Sequence, residues 1–294
     1  MTVNLSYNGD LARVLVAISS VPNGTVKVER STNLLAWFPV RGGVGLPVVA
    51  GTAGLSDYEF SPDVENHYRV TQTSLEDKVD FFTSSGTWSK PDGLVAVRVT
   101  VVGGGGAGGG SAATGASQAS MGAGGMGGAC AIHWVDAASL GATEEVVVGA
   151  GGVAVSGGAG GAGGLSRFGS SGSPWASATG GTGGSTSSAS SSAGVVMSSG
   201  ATPTTVGDVG IPGEAGGNGR CLASAALVEG GNGGSSALGH GGRAGAATSG
   251  TSAGSGGRLY GGGGGGSAAV ASQSATAGGN GASGVVIVEH IFAG

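Results

Sequence analysis

Proline, charge, aromatic side chains and cysteine are all scarce in this chain, and each shortage excludes something. Eight prolines in 294 residues fall far below the roughly 15–20% that collagen needs beside its regular glycine. Charged residues make up only 10% of the chain, the net charge is −5 and the pI is about 5.3. No basic patch exists to meet phosphates, so no nucleic-acid partner is expected. Two cysteines, Cys130 and Cys221, are too few for a disulfide framework. In a reducing cytosol they are expected to be free and buried, with a bridge between them as the alternative. No unbroken apolar stretch approaches the roughly 20 residues that span a bilayer, so no membrane insertion is expected. Residues 1–10 have no basic segment followed by an apolar core, which predicts the absence of a Sec signal. The sequons at Asn4 and Asn23 then read as chance matches.

Glycine is what the chain has in excess. Nine of its 69 glycines lie within the first 100 residues and the other sixty follow, many of them three apart. Gly157, Gly160 and Gly163 run beside Gly158, Gly161 and Gly164, and the spacing returns at Gly213, Gly216 and Gly219. Gly239, Gly242 and Gly245 repeat it, as do Gly278, Gly281 and Gly284. Three residues per turn is the period of the polyproline-II-type helix, which rises about 3.1 Å per residue and makes no internal hydrogen bonds. Glycine on one face lets a neighbouring backbone come into contact, and without proline every residue keeps an N–H that must find a partner once buried. The spacing therefore predicts a sheaf of short left-handed polyglycine helices bonded to one another.

The alternative is a flexible Gly/Ser linker or disordered tail. Low charge and a mean hydropathy of +0.23 oppose it, since disordered segments combine low hydrophobicity with high charge. Apolar segments also frame the glycine runs, at about 94–102, 131–135, 144–148 and 284–292. The first and last of these alternate similarly and are expected to neighbour each other in a sheet.

Residues 1–74 read differently. Short apolar stretches at 4–7, 12–18, 25–30, 37–40, 46–49, 57–60 and 67–71 are separated by turn signals such as Asn8-Gly9 and Gly42-Gly43. This predicts a small β-sandwich with Trp37 in its core and Tyr68 as a candidate tyrosine-corner residue. Residues 75–80 form a charged linker, and 81–294 the glycine-rich domain. The fold class expected is all-β plus polyglycine-II helices, as a small N-terminal sandwich followed by a β-framed helix bundle.

Motifs of chemistry are formal only. Residues 101–108 hold a GxGxxG after a strand, but no helix follows and the next acid is Asp136, so the dinucleotide fingerprint is incomplete. The GxSxG at 250–254 lies in a Gly/Ser tract without the strand and helix a nucleophile elbow needs. His67, His133, His240 and His290 share no ligand spacing with cysteines or acids, and Glu144 and Glu145 are adjacent, pointing to opposite faces of a strand. No enzyme, metal or cofactor is expected.

Two stretches carry a resemblance. The opening segment, with NGDLARV, GTVKVERS, DYEF and ENHYRV, resembles the N-terminal module of minor tail proteins of actinobacterial phages. The second, from FFTSSGTWSKPDGLVAVRVTVVGGGGAGGG to GNGASGVVIVEHIF, resembles the glycine-rich domain of phage tail-fibre and tail-tip proteins. The resemblance implies polyglycine helices packed in a lattice, a place in the virion tail after assembly in the host cytoplasm, and other tail proteins as partners. It also allows a homotrimer.

Such a bundle has almost no side chains of its own, so recognition of a host cell-envelope glycan would fall to glycine-poor loops at 170–179, 185–199, 201–209 and 221–229. Trp175, beside Pro174, is the main candidate because an indole stacks on sugar rings and offers a polar N–H; Tyr260 is the second. Both have an alternative as caps on the bundle. A purely architectural connector of the tail tip is the competing function, and an ice-binding protein a remote third.

Overall fold

The structure is a computed structural model that describes residues 1–22, 24–75, 79–198, 204–222 and 227–292. The described residues form strands, turns and extended runs, with no helix among them. They group into two compact units. One is Met1–Lys78 with Pro91–Ala96 and His290–Gly294, and the other is Val79–Lys90 with Val97–Glu289.

In the first unit, strands Thr2–Asn8, Arg13–Ser19 and Thr52–Asp57 pair antiparallel in one sheet. Gly24–Ser31 is the centre of a second, bonded to Phe38–Pro39, Leu46–Val48 and His67–Leu75. Alternation sets the buried faces: Val16 and Ile18 are buried while Leu15 and Ala17 are exposed. Val21, Val26, Val28, Val40, Val48 and Val70 complete the core. Each buried aliphatic side chain of this size contributes about 1.5–3 kcal/mol.

Three expectations for this unit are corrected. The strand expected at 57–60 is Thr52–Asp57 instead, because the chain turns through Ala50 (φ 51°) and Gly51 (φ 76°) and starts early. Asp57 then ends the strand. It is 1% exposed, its Oδ1 accepts from the Glu59 N–H at 2.9 Å, and its Oδ2 accepts from Arg30 at 2.7 Å and the Tyr68 hydroxyl at 2.8 Å. Tyr68 therefore bonds a carboxylate rather than a backbone group, and its phenol is raised by burial and by that carboxylate. Trp37 is half-buried on the surface, with the Arg69 guanidinium 4.6 Å from its ring centroid.

In the second unit, Val209–Ile211, Cys130–Asp136, the part of strand Leu94–Val102 from Val97 on, the part of strand Val285–Phe292 up to Glu289 and Val79–Phe82 form one sheet in that order, so the two framing strands are neighbours. A second sheet runs Thr205–Val206, Pro174–Ala178, Ser166–Gly169, Thr143–Val147 and Gly86–Ser89. Cys130–Asp136 packs against Pro174–Ala178 across the two. Trp88 and Phe168 are buried edge to face, with centroids 5.5 Å apart. Leu75 ends one strand and Val79 begins the next; residues 76–78 of the expected linker lie outside the described residues.

Two small sheets are additional. Ser120–Met121, Ala268–Ala269 and Thr251–Ser252 form one, and Gly194–Val196, Gly219–Cys221, Val228–Glu229 and Ala246–Ala247 the other. Met121, Val196, Cys221, Val228 and Val270 share an apolar cluster there.

Candidate functional site: the packed glycine runs

Residues 103–111 are buried throughout, and their backbone shows how the glycine region is held. The N–H groups of Gly103, Gly106 and Gly109 donate to the carbonyls of Ala129, Met126 and Ala123. Those of Gly104, Ala107 and Gly110 donate to Gly164, Gly161 and Gly158, and those of Gly105, Gly108 and Ser111 to Ala282, Gly279 and Thr276. All nine bonds measure 2.8–3.0 Å. Every third residue thus turns to the same neighbour, and partner numbers fall by three as the donors climb, so these neighbours run antiparallel.

The carbonyls of the same run face three further neighbours. Gly104 and Ala107 accept from Gly181 and Gly184, Gly106 and Gly109 from Gly264 and Ser267, and Gly105 from Gly152. Where two bonds reach one neighbour, both numbers rise together, so those runs are parallel. Run 261–267 is surrounded in the same way. Gly263 and Gly266 donate to Gly234 and Gly231, and Gly262 and Gly265 to Arg258 and Ser255. Gly242 and Gly245 donate into it from another side.

Side chains are admitted only where no backbone stands opposite. In 159–165 a Cβ on Gly160 or Gly163 would collide with the carbonyl of Ala107 or Gly104. One on Gly161 would lie 3.1 Å from the Val153 oxygen, and one on Gly164 3.0 Å from the Ala150 nitrogen. The third row, Ala159, Ala162 and Leu165, is exposed. In run 122–129 two rows are all glycine. The third carries Ala123, Met126 and Ala129, all buried.

At the periphery asparagine side chains accept from backbone N–H groups of adjoining segments. Asn280 Oδ1 accepts from the Ala154 N–H, and Asn232 Oδ1 from the Ala244 N–H, both at 2.8 Å. Asn218 Oδ1 accepts from the Ser198 N–H at 2.9 Å. Sequence reasoning passed over these three residues, although each follows a glycine on the outward third position of its run.

The two candidate aromatics occupy packed positions on separate elements. Trp175 is not in a loop: it lies half-buried in strand Pro174–Ala178, and the turn is confined to 170–173. A bulge places Gly169 (φ 93°) beside it, where a Cβ would come within 2.8 Å of the indole Cδ1. Tyr260 is half-buried against Val102, Cys130 and Val285, and its carbonyl accepts from the Ser236 hydroxyl. Of the other segments named for recognition, 199, 201–203 and 223–226 lie outside the described residues, and Gly194–Val196 is a strand. Cys130 and Cys221 are both buried and are not joined by a disulfide, and burial pushes the Cys130 thiol up.

An all-β frame around runs of close-packed glycine backbone defines the class of this protein. The chain belongs to the glycine-rich domain family, whose model matches residues 82–290. No curated protein matches the chain.

Proposed function

We propose that this chain is a non-enzymatic tail-tip or tail-fibre protein of a phage virion, whose glycine-rich domain holds recognition surfaces against a host cell envelope. In this reading the runs are polyglycine-II helices in a hexagonal lattice, and the first unit is a small β-sandwich that docks to other tail proteins. The observation that carries it is the separation of backbone and side chain. The interior runs have no room for a Cβ along their glycine rows, so most side chains project outward or occupy the runs' ends. Such a body is rigid without a large hydrophobic core, and its outer rows can vary without repacking. The residue motifs that resemble tail proteins supply the virion context.

A second reading, an architectural connector without receptor binding, is favoured by one specific observation: Trp175 and Tyr260 are both engaged in packing. Antibodies against the purified chain, applied to virions under the electron microscope, test the shared part; label at the tail tip is expected, and virions without label overturn it. Adsorption of the purified chain to host cells separates the two readings, since only the first requires it.

A further inference from the structure

We infer that the outer face formed by residues 240–246 and 252–258 binds a linear acidic polysaccharide through Arg243 and Arg258. The second unit has six Lys and Arg side chains, and four of them are committed. Lys90 donates to the carbonyls of Ala137 and Leu140. Arg98 pairs with Glu289, Arg167 with Glu145 and Arg220 with Glu229. Arg243 and Arg258 are the remaining two; both are exposed, and neither guanidinium has a hydrogen-bond or ion-pair partner among the described residues.

These two fall on adjoining antiparallel runs. The Arg258 N–H donates to the His240 carbonyl and the Ser255 N–H to the Arg243 carbonyl, both at 2.9 Å. His240 and Arg258 therefore share one level of the face, and Arg243 and Ser255 the next. At about 3.1 Å per residue in a three-residue repeat, successive levels are about 9 Å apart. All four residues are exposed. The face thus offers two exposed arginines rooted one repeat apart along the backbone, with an imidazole and a hydroxyl as further polar groups and no carboxylate on either run.

That spacing selects among polyanions. One strand of duplex nucleic acid carries a charge about every 3.4 Å of axis, much denser than the two arginines, and the chain's net charge of −5 repels it. A polysaccharide with a carboxylate on alternate or successive sugars presents isolated planar acids that guanidinium groups bind bidentately. The inference does not depend on where the chain is assembled.

Binding of the full chain to immobilised alginate, a polyuronate, tests it, with neutral dextran and long-chain polyphosphate as parallel surfaces. Alginate is expected to retain the protein at low salt and release it at high salt, and dextran to retain none. The R243Q/R258Q double variant should bind alginate roughly tenfold more weakly or worse, whereas R220Q, whose native arginine is paired to Glu229, should bind as the parent does. Neither free arginine holds another residue, so the melting temperature of the double variant should be unchanged; should it fall, the single variants R243Q and R258Q carry the comparison. Equal retention of parent and double variant overturns the inference, as does retention on polyphosphate without alginate, which reassigns the face to phosphate polymers.

Discussion

A Cβ added at Gly160 points at the carbonyl oxygen of Ala107, whereas the methyl group of Ala159 already stands in solvent. Gly160→Val should therefore force two runs apart. Overpacking of a close-packed site costs about 1–3 kcal/mol, which for a unit of this size lowers the melting temperature by about 2–4 °C per kcal/mol. Ala159→Ser should stay within about 0.5 kcal/mol of the parent, and thermal melts that coincide for the two variants would refute this packing. Trp175 permits a similar contrast. Full removal of a buried aromatic costs about 3–5 kcal/mol, so this half-buried indole should cost about 2 kcal/mol on Trp175→Ala, visible as a lower melting temperature. An unchanged melt would instead release Trp175 for surface recognition.

In the first unit, Glu29 is 5% exposed and is held by Lys27 and Arg69, each at 2.6 Å. These hydrogen bonds to Lys27 and then Arg69 lower its carboxyl below the ordinary 4.5. A depressed folded-state value means the stabilisation is present above the unfolded value and is lost as pH falls through the folded one. Acid titration of unfolding should show this loss in the parent, and E29Q should flatten it; identical acid limbs would show that Glu29 contributes nothing.

At the scale of the element, Asn218, Asn232 and Asn280 lie on exposed rows of their runs and accept from backbone N–H groups there. Asn280→Ala removes the acceptor for the Ala154 N–H. Water reaches this edge, so the cost should be about 0.5–1 kcal/mol rather than that of a buried orphan donor. The sign that checks it is faster amide exchange at Ala154 with Gly105 unaffected. The same period of three explains what could be read in advance. Glycine rows at 160/163 and 161/164 marked in advance the faces on which backbones meet. The strands Leu94–Val102 and Val285–Phe292 stood out because long alternating apolar segments have no other use. The strands of two or three residues around Met121 and Cys221 were illegible, because so short a segment has no period. Trp175 was misplaced because Ser, Pro and Ala around it have the composition of a loop, while its strand is fixed by pairing with Ser166–Gly169. Asp57 was misplaced because the turn through Ala50 and Gly51 starts its strand early, and a positive φ at an alanine leaves no signal in the sequence.

For the whole molecule, the pattern of partners sets both how it folds and where it opens. Gly105 bonds Ala282, and Gly108 bonds Gly279, so the central run cannot be completed until nearly the whole chain is present. Loop closure must precede the contacts that reward it, which makes non-local topologies slow to fold. Run 103–111 has bonded neighbours on six sides, run 261–267 is similarly enclosed, and both are buried. Their amides can exchange only when surrounding runs separate, so their protection should approach that of global unfolding. Runs 158–164 and 240–246 border solvent on one row and need fewer neighbours to move. Hydrogen exchange should therefore order the glycine amides by depth: slowest in 103–111 and 261–267, intermediate in the outer runs, fastest in turns such as 170–173. Glycine has no side chain to shield its amide, so such a gradient can arise only from backbone packing and bonding. Uniformly rapid exchange across all the runs would mean a flexible linker and would remove the basis for the display function with it.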